Sequence, residues 1–216
     1  MHKDSLLKFN SSLANKYKAG VGFKYLDDFI NSNVLENTLK SFLEENKLKH
    51  TSPKAFESYL KTQTSKNVDW FFNDYINTRK KIDFKIKKVK KTEDSITLTI
   101  KNKRNSNTPI SLYSLNNDSI VSKFWIENVT NNKTITIPRN DANKLVLNYN
   151  RVIPEFNLRD NWKSLKGFFF NNKPLQFRLF KDIEDPNYNQ VFLMPLAEFN
   201  NIYDGIVLVF EADNKT

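Results

Sequence analysis

Two different spacings of hydrophobic residues divide the chain near residue 80. Before that point apolar residues recur every three or four positions, which is typical of amphipathic helices. After it, apolar and polar residues alternate, as they do in half-buried strands. The sequence therefore predicts an α+β fold, in which an α-helical segment of packed antiparallel helices, residues 1–80, precedes β structure. The first helical stripe consists of Phe23, Leu26, Phe29 and Ile30.

The starts of two later helices carry local signals. Asn33, followed three residues on by Glu36, has the capping-box pattern. Ser52 followed by Pro53 is a cap residue with proline at the first helical position. These signals predict a second and a third helix. Their apolar faces are Leu35, Leu39, Phe42 and Leu43 in the second helix and Phe56, Tyr59 and Leu60 in the third.

The segment NVDWFFNDYI places four aromatic rings beside two aspartates and raises the question of a binding site. Its apolar residues fit one face of a fourth helix. That spacing favours core packing, and a ligand-stacking platform is the alternative. The residues that define the face are Val68, Phe71, Phe72, Tyr75 and Ile76.

The second half of the chain reads as short strands between turns. DSITLTIKNK alternates strictly, and PISLYSL, VSKFWI, KTITIP and NKLVLNY follow, separated by the turn-rich NND, NVTNN and PRNDAN. This spacing predicts an antiparallel β-sandwich over residues 81–150. LQFRLF, QVFLMP and DGIVLVFEA then predict a C-terminal β extension over residues 151–216, either packed on the sandwich or starting a further domain.

The net charge of +10 raises the question of a nucleic-acid partner. The densest basic run is RKKIDFKIKKVKK, in which Ile82, Phe84 and Ile86 alternate with Asp83, Lys85 and Lys87. We interpret it as a strand with a solvated basic face, and a phosphate-binding stripe is the alternative. Because no nucleic-acid-binding motif accompanies the run, we expect no nucleic-acid partner.

The residues alone assemble no catalytic constellation. The chain has no cysteine, two histidines and four glycines, and it contains no HExxH motif and no glycine-rich phosphate loop. The carboxylate pairs Asp27-Asp28 and Glu44-Glu45 are interpreted as surface charges beside lysines. His50 is interpreted as a solvated loop histidine. We therefore predict no metal site in this chain.

A resemblance to a known family adds to this picture. TSPKAFESYLKTQTSKNVDWFFNDYI resembles a segment in the helical domain of zinc-dependent aminopeptidases of the membrane alanyl aminopeptidase family. YKAGVGFKYLDDFINSNVLENTLKSFL, upstream of it, resembles the Tyr-x-Lys-Gly segment of that family. The resemblance extends from Tyr17 to about Tyr149 and implies helices followed by a β-sandwich. The matching residues are Ser52, Pro53, Phe56, Leu60, Asp69, Trp70, Phe71 and Phe72.

The resemblance also implies a role for one residue. In the family the tyrosine of Tyr-x-Lys-Gly donates a hydrogen bond to the oxyanion of the tetrahedral intermediate. Tyr17 and Gly20 match this motif, but Ala19 stands where lysine is usual, and Lys18 is displaced by one position. An ordinary helical tyrosine is the alternative. Substrate-binding residues cannot be assigned by this transfer.

The zinc-binding half of the family has no counterpart here, since only sixteen residues precede Tyr17. We therefore expect a fragment of a longer peptidase or a truncated reading frame, with zinc held by the parent protein and no peptide hydrolysis by this chain alone. The implied function is to wall and brace the peptide-substrate cleft of the parent, and the implied partner is the missing zinc-binding domain. A stand-alone interaction module without any peptidase role is the alternative.

The region from Arg151 resembles the tail of envelope-associated bacterial members of the family. IPEFNLRDNW and the strands after it imply further β structure, with membrane association through the C-terminal extension as one expectation and extra strands packed on the sandwich as the other. The first residues lack the apolar core of a signal peptide, and a cell-envelope location is expected only for the parent.

Overall fold

The computed structural model describes residues 8–30, 32–167, 173–179, 185–201 and 205–215. The first part of the chain is helical. It consists of α1 (Lys8–Ile30), α2 (Ser32–Glu45), α3 (Pro53–Gln63) and a short π-helix (Phe71–Ile76). As the sequence predicts, Ser52 caps α3, and its hydroxyl accepts a hydrogen bond from the backbone N–H of Ala55 at 3.1 Å.

Seven strands follow between residues 84 and 164. Alternation is most regular in β2, where every second residue is buried, as the sequence predicts. The intervening turns use Asn and Asp in left-handed backbone conformations, including Asn117, Asp118, Asn128 and Asn140. The strands are β1 (Phe84–Lys91), β2 (Ser95–Asn102), β3 (Ile110–Asn116), β4 (Ser119–Ile126), β5 (Asn132–Pro138), β6 (Lys144–Leu147) and β7 (Trp162–Ser164).

These strands form two antiparallel sheets, with the orders β1-β2-β5 and β4-β3-β6-β7. Residues from both sheets lie in one buried cluster, to which the helices also contribute. The α+β fold class predicted from the sequence is therefore confirmed. The members that illustrate the shared core are Leu26 and Phe29 of α1, Leu60 of α3, Ile96 and Leu98 of the first sheet, and Leu112 and Leu145 of the second.

Three predictions about individual helix residues are wrong. Asn33 is not a cap, because α2 already begins at Ser32, and Glu36 instead accepts a hydrogen bond from Lys40 at 2.6 Å. Leu43 and Ile76 were assigned to apolar faces but are exposed. Both lie near the ends of their helices, where the apolar face of the helix extends beyond the residues that contact the core.

The fourth helix has a different hydrogen-bonding pattern from the predicted α-helix. Trp70, Phe71 and Phe72 are consecutive and all buried, whereas an α-helix turns by about 100° per residue and would carry three successive side chains around most of its surface. The segment instead forms a π-helix, closed by the i→i−5 hydrogen bond from Asn77 N–H to the Phe72 carbonyl at 3.2 Å.

Asp83 also departs from its predicted position on a solvated face. Its carboxylate is buried and lies 3.4 Å from Lys103 and 3.6 Å from Arg104. The neighbouring Ile82 is also buried and pairs with Glu155 in an isolated bridge. Residues 82–84 are thus buried in succession, and the alternation of buried and more exposed residues begins only within β1.

By its internal contacts the chain forms two units, Met1–Leu165 and Lys166–Thr216. In the second unit β8 (Leu175–Leu179) pairs in parallel with β9 (Asn189–Asn201), which pairs antiparallel with β10 (Gly205–Lys215). The domain boundaries predicted at residues 80 and 150 stay predictions. Among the described helices, none combines the length and apolar character that crossing a bilayer requires.

Candidate functional site

The aromatic segment is part of the hydrophobic core. Trp70, Phe71 and Phe72 are buried, and the Trp70 ring lies 4.5 Å from that of Tyr25 and 5.7 Å from that of Phe29, measured between centroids. These contacts join the π-helix to α1. The three rings face the core. This orientation agrees with core packing, whereas a ligand-stacking platform would need a ring that faces solvent.

Tyr17 lies on α1, outside the buried core. Its side chain is 74% exposed, and residues 16–20 are exposed throughout. The hydroxyl is therefore accessible to a molecule that approaches this turn of the helix. Its proposed catalytic role stays a prediction.

The π-helix supports the turn that carries Tyr17. The Tyr75 hydroxyl donates a hydrogen bond to the Lys18 carbonyl at 3.0 Å, and the Lys18 ammonium lies 5.4 Å from the centre of the Tyr75 ring. Burial raises the pKa of Tyr75 to about 12, so the phenol keeps its proton and remains a donor at neutral pH. Tyr75 and Lys18 are 57 positions apart in sequence, so no local sequence pattern could have identified their contact.

The two glycines of YKAGVG differ in their surroundings. A Cβ atom on Gly22 would lie 2.3 Å from the Tyr75 ring, so α1 can approach the π-helix only because this residue has no side chain. A Cβ atom on Gly20 would meet nothing within 4 Å. Gly22 is thus the glycine that the packing requires, although Gly20 is the one that matches the family motif.

A groove opens beside this contact, and we call it the Lys18 groove. Its volume is about 340 Å³, and it combines three lysines with apolar and aromatic side chains. Its mixed lining suits a small molecule or segment that has both a charged and an apolar part. The lining residues are Lys18, Tyr75, Lys80, Lys81, Ile82, Pro154, Glu155 and Phe156.

Glu155 is a half-buried carboxyl at this groove that sequence reasoning missed. Its Oε1 accepts a hydrogen bond from the Phe84 N–H at 3.0 Å, and its Oε2 accepts from Asn148 at 3.0 Å and Asn161 at 2.6 Å. Burial raises its pKa to about 8, although these three donors act in the opposite direction. The side chain ties the segment after β6 to the start of β1.

Asp28 is a second residue whose role differs from that of a plain surface charge. Its carboxylate lies 2.6 Å from the Lys123 ammonium of β4 and accepts a hydrogen bond from Asn150 at 3.0 Å. It thereby joins α1 to the second sheet. A cavity of about 540 Å³ adjoins this ion pair. Asp27, its neighbour, has a raised pKa, chiefly because of partial burial and then because of the Asp28 charge.

The described residues do not fit a zinc ion. Within them, no group of three or more His, Asp or Glu side chains could hold a metal. His50 is exposed in the loop before α3, and His2 lies outside the described residues. The zinc of the implied parent therefore has no donor set in the part of this chain that the structure describes.

Comparisons with known proteins give a likeness of fold. No protein-family model matches the chain, and no curated protein matches it. Among solved structures, aminopeptidase A of Legionella pneumophila, crystallised with aspartic acid, is similar over 66% of this chain, with a TM-score of 0.57 and 13% sequence identity. This chain spans 17% of the length of that protein. At this identity the likeness concerns the fold: the chain has an aminopeptidase-like arrangement of helices and sandwich.

Proposed function

We propose that this chain is the C-terminal portion of a zinc aminopeptidase-like protein and is non-catalytic by itself. In this role the helices wall the peptide-substrate cleft of the parent, and the sandwich braces them. Zinc and the general base come from a separate zinc-binding domain, which is the principal partner. Peptides are the substrate of the assembled protein.

The observation that carries the proposal is the likeness of fold to an aminopeptidase, and the exposure of Tyr17 on α1 supports it. The tyrosine lies on an exposed turn, and the buried aromatic segment holds that turn through Tyr75 and Gly22. A donor for a developing oxyanion needs both properties, since its hydroxyl must reach the substrate and its backbone must be fixed.

Combination with a complementary fragment tests the proposal. The purified 216-residue chain is mixed with a fragment of a family peptidase. That fragment carries the HExxH motif and ends at the position that corresponds to the start of this chain. We expect the two to co-purify and to hydrolyse an aminoacyl-nitroanilide in a chelator-sensitive way, whereas this chain with zinc alone gives no turnover. Turnover by the chain alone would contradict the proposal.

Tyr17 is tested in the same assembly. Tyr17→Phe removes only the hydroxyl, and we expect kcat to fall about 10²- to 10³-fold, as it does when one oxyanion donor is lost. Tyr149→Phe, which changes an exposed tyrosine of the sandwich segment, is the matched control and should leave kcat unchanged. Association without any effect of Tyr17→Phe would restrict the chain to bracing, and failure to associate would favour a stand-alone interaction module.

A further inference from the structure

The Lys18 groove has more positive charge than its neighbouring carboxylates neutralise. Lys80 is paired with Asp74 at 2.9 Å. Lys18 and Lys81 lie over aromatic rings instead, and neither has a carboxylate partner among the residues that the structure describes. Two ammonium groups at one groove are thus available to a negatively charged ligand.

Glu155 lines the same groove but does not supply the missing negative charge to these lysines. It is half-buried, and both of its oxygens accept hydrogen bonds from the chain, from the Phe84 N–H and from the side chains of Asn148 and Asn161. The carboxyl group therefore belongs to the protein's own hydrogen-bond network, which it satisfies without Lys18 or Lys81.

Apolar surface lies beside the two free ammonium groups. Ile82 and Pro154 line the groove, and Phe156 is exposed at it, with the Lys81 ammonium 4.1 Å from the centre of its ring. An exposed phenylalanine next to an unpaired lysine can contact an aliphatic group while the lysine binds an adjacent anion.

Charged side chains already lie over the aromatic rings at the groove, which bears on the class of ligand. Phe71 stacks on Tyr75 at 5.7 Å with an interplanar angle of 10°, and the Lys18 ammonium lies over the same ring. Phe156 has both Lys81 and Arg104 over its ring. Because a stacked nucleobase would have to compete with these cations for the ring faces, this arrangement disfavours a nucleotide.

We propose that the Lys18 groove binds a short acidic peptide segment, in which a carboxylate lies between Lys18 and Lys81 and a neighbouring aliphatic side chain packs against Pro154 and Phe156. The site is separate from the role assigned to Tyr17 and does not depend on a peptidase partner. Its volume of about 340 Å³ is at the lower end of the range for small-molecule pockets and suits a segment of about two residues.

Titration of the full chain with two capped dipeptides tests this proposal. Acetyl-Leu-Glu-amide and acetyl-Leu-Gln-amide differ only in charge, and backbone amide shifts in NMR spectra report binding. We expect the Glu peptide to bind with a Kd on the order of 1 mM at low salt, the Gln peptide to bind several-fold more weakly, and the difference to shrink as salt rises. Equal binding of the two peptides, or binding of neither, would overturn the proposal.

Substitutions then locate the site. Lys18→Gln and Lys81→Gln should each weaken binding of the Glu peptide about two- to fivefold, as expected for exposed charge pairs. Lys54→Gln removes an exposed lysine of α3 that does not line the groove and should have no effect. All three variants change exposed side chains, and an unchanged thermal transition verifies that they are folded. If all three substitutions weakened binding equally, the peptide would be attracted by the net charge of the chain and not by the Lys18 groove, and the proposal would be wrong.

Two further probes separate this ligand from other anions. Inorganic phosphate and adenosine monophosphate are titrated under the same conditions. Both should bind more weakly than acetyl-Leu-Glu-amide, since phosphate lacks an aliphatic group and the nucleobase would have to compete with the cations over the rings. If either one bound more tightly and displaced the peptide, the peptide assignment would be wrong.

Discussion

Glu155 is a carboxyl group whose folded environment favours the protonated form. Burial raises its pKa from 4.5 to about 8, and the charge of Asp83 acts in the same direction. The folded state thus binds this proton more tightly than the unfolded state does. The resulting stabilisation is complete below the unfolded pKa near 4.5 and is lost as the pH rises through about 8.

We expect the free energy of unfolding to fall between pH 5 and pH 8, because Glu155 must ionise in a buried site. The steepest slope that one such group can contribute is about 1.4 kcal/mol per pH unit. Urea unfolding followed by circular dichroism at several pH values measures it. Glu155→Gln should flatten the profile in this window, whereas Glu93→Gln, at the exposed turn between β1 and β2, should leave it unchanged. An unaltered slope in the Glu155→Gln variant would contradict the assignment.

The sequence predicts the environment of a single residue only when the partners of that residue are close to it in sequence. Ser52 caps the helix that starts beside it, and the turns containing Asn117 and Asn128 use residues that tolerate left-handed backbone. The burial of Asp83 and the desolvation of Glu155 depend on partners distant in sequence, since Lys103 lies twenty positions from Asp83. Alternation along one strand contains no information about such partners.

At the scale of elements, the contact between α1 and the π-helix decides where the exposed turn with Tyr17 lies. Hydrophobic spacing predicted both elements and the burial of Phe71 and Phe72, but it could not predict the wider helical turn. Trp70, Phe71 and Phe72 are buried where the hydrogen bonding changes to the π-helical pattern, and the spacing of apolar residues does not reveal that change. The same close approach explains the requirement for Gly22.

Gly22→Ala tests this approach. The new Cβ atom would overlap the Tyr75 ring, which cannot move freely because it stacks on Phe71 and donates to the Lys18 carbonyl. We expect overpacking of about 1–3 kcal/mol to exceed the gain of about 1 kcal/mol in helix propensity, so that thermal unfolding shifts to lower temperature.

Gly20→Ala is the matched control for this variant. It adds the same methyl group two residues away, in open space on the exposed side of α1. We expect it to stabilise the chain by about 0.5–1 kcal/mol, since alanine favours a helix more than glycine does. If both variants raised the unfolding temperature equally, the close approach of α1 to Tyr75 would be refuted.

At the scale of the molecule, helices and sandwich are joined by polar contacts as well as by their common core. The Tyr25 hydroxyl donates to the Pro109 carbonyl, Asp28 pairs with Lys123 at 2.6 Å, and Asp74 accepts from the Asn107 N–H at 2.7 Å. These contacts connect α1 and the π-helix to the strands. We therefore expect the helices and the sandwich to unfold together, in one transition.

The division of contacts after Leu165 leads to a prediction about autonomous folding. Residues 1–167 contain the whole first unit, and ending there keeps Leu165 internal, where its carbonyl accepts from Lys91 at 2.5 Å. We expect this shortened chain to be soluble and to unfold cooperatively, since a compact unit with its own core can fold alone. Circular dichroism and differential scanning calorimetry measure the transition.

A second shortened chain supplies the control. Ending at Asn150 removes β7, the buried Val152 and Ile153, and Glu155 with its three hydrogen bonds. Loss of the two apolar side chains alone costs about 3–6 kcal/mol of burial, which reaches the lower end of the roughly 5–15 kcal/mol that stabilises a typical domain. We expect no cooperative transition from this shorter chain. Equal stability of the two chains would mean that the segment from residue 151 to residue 165 does not belong to the core that it contacts.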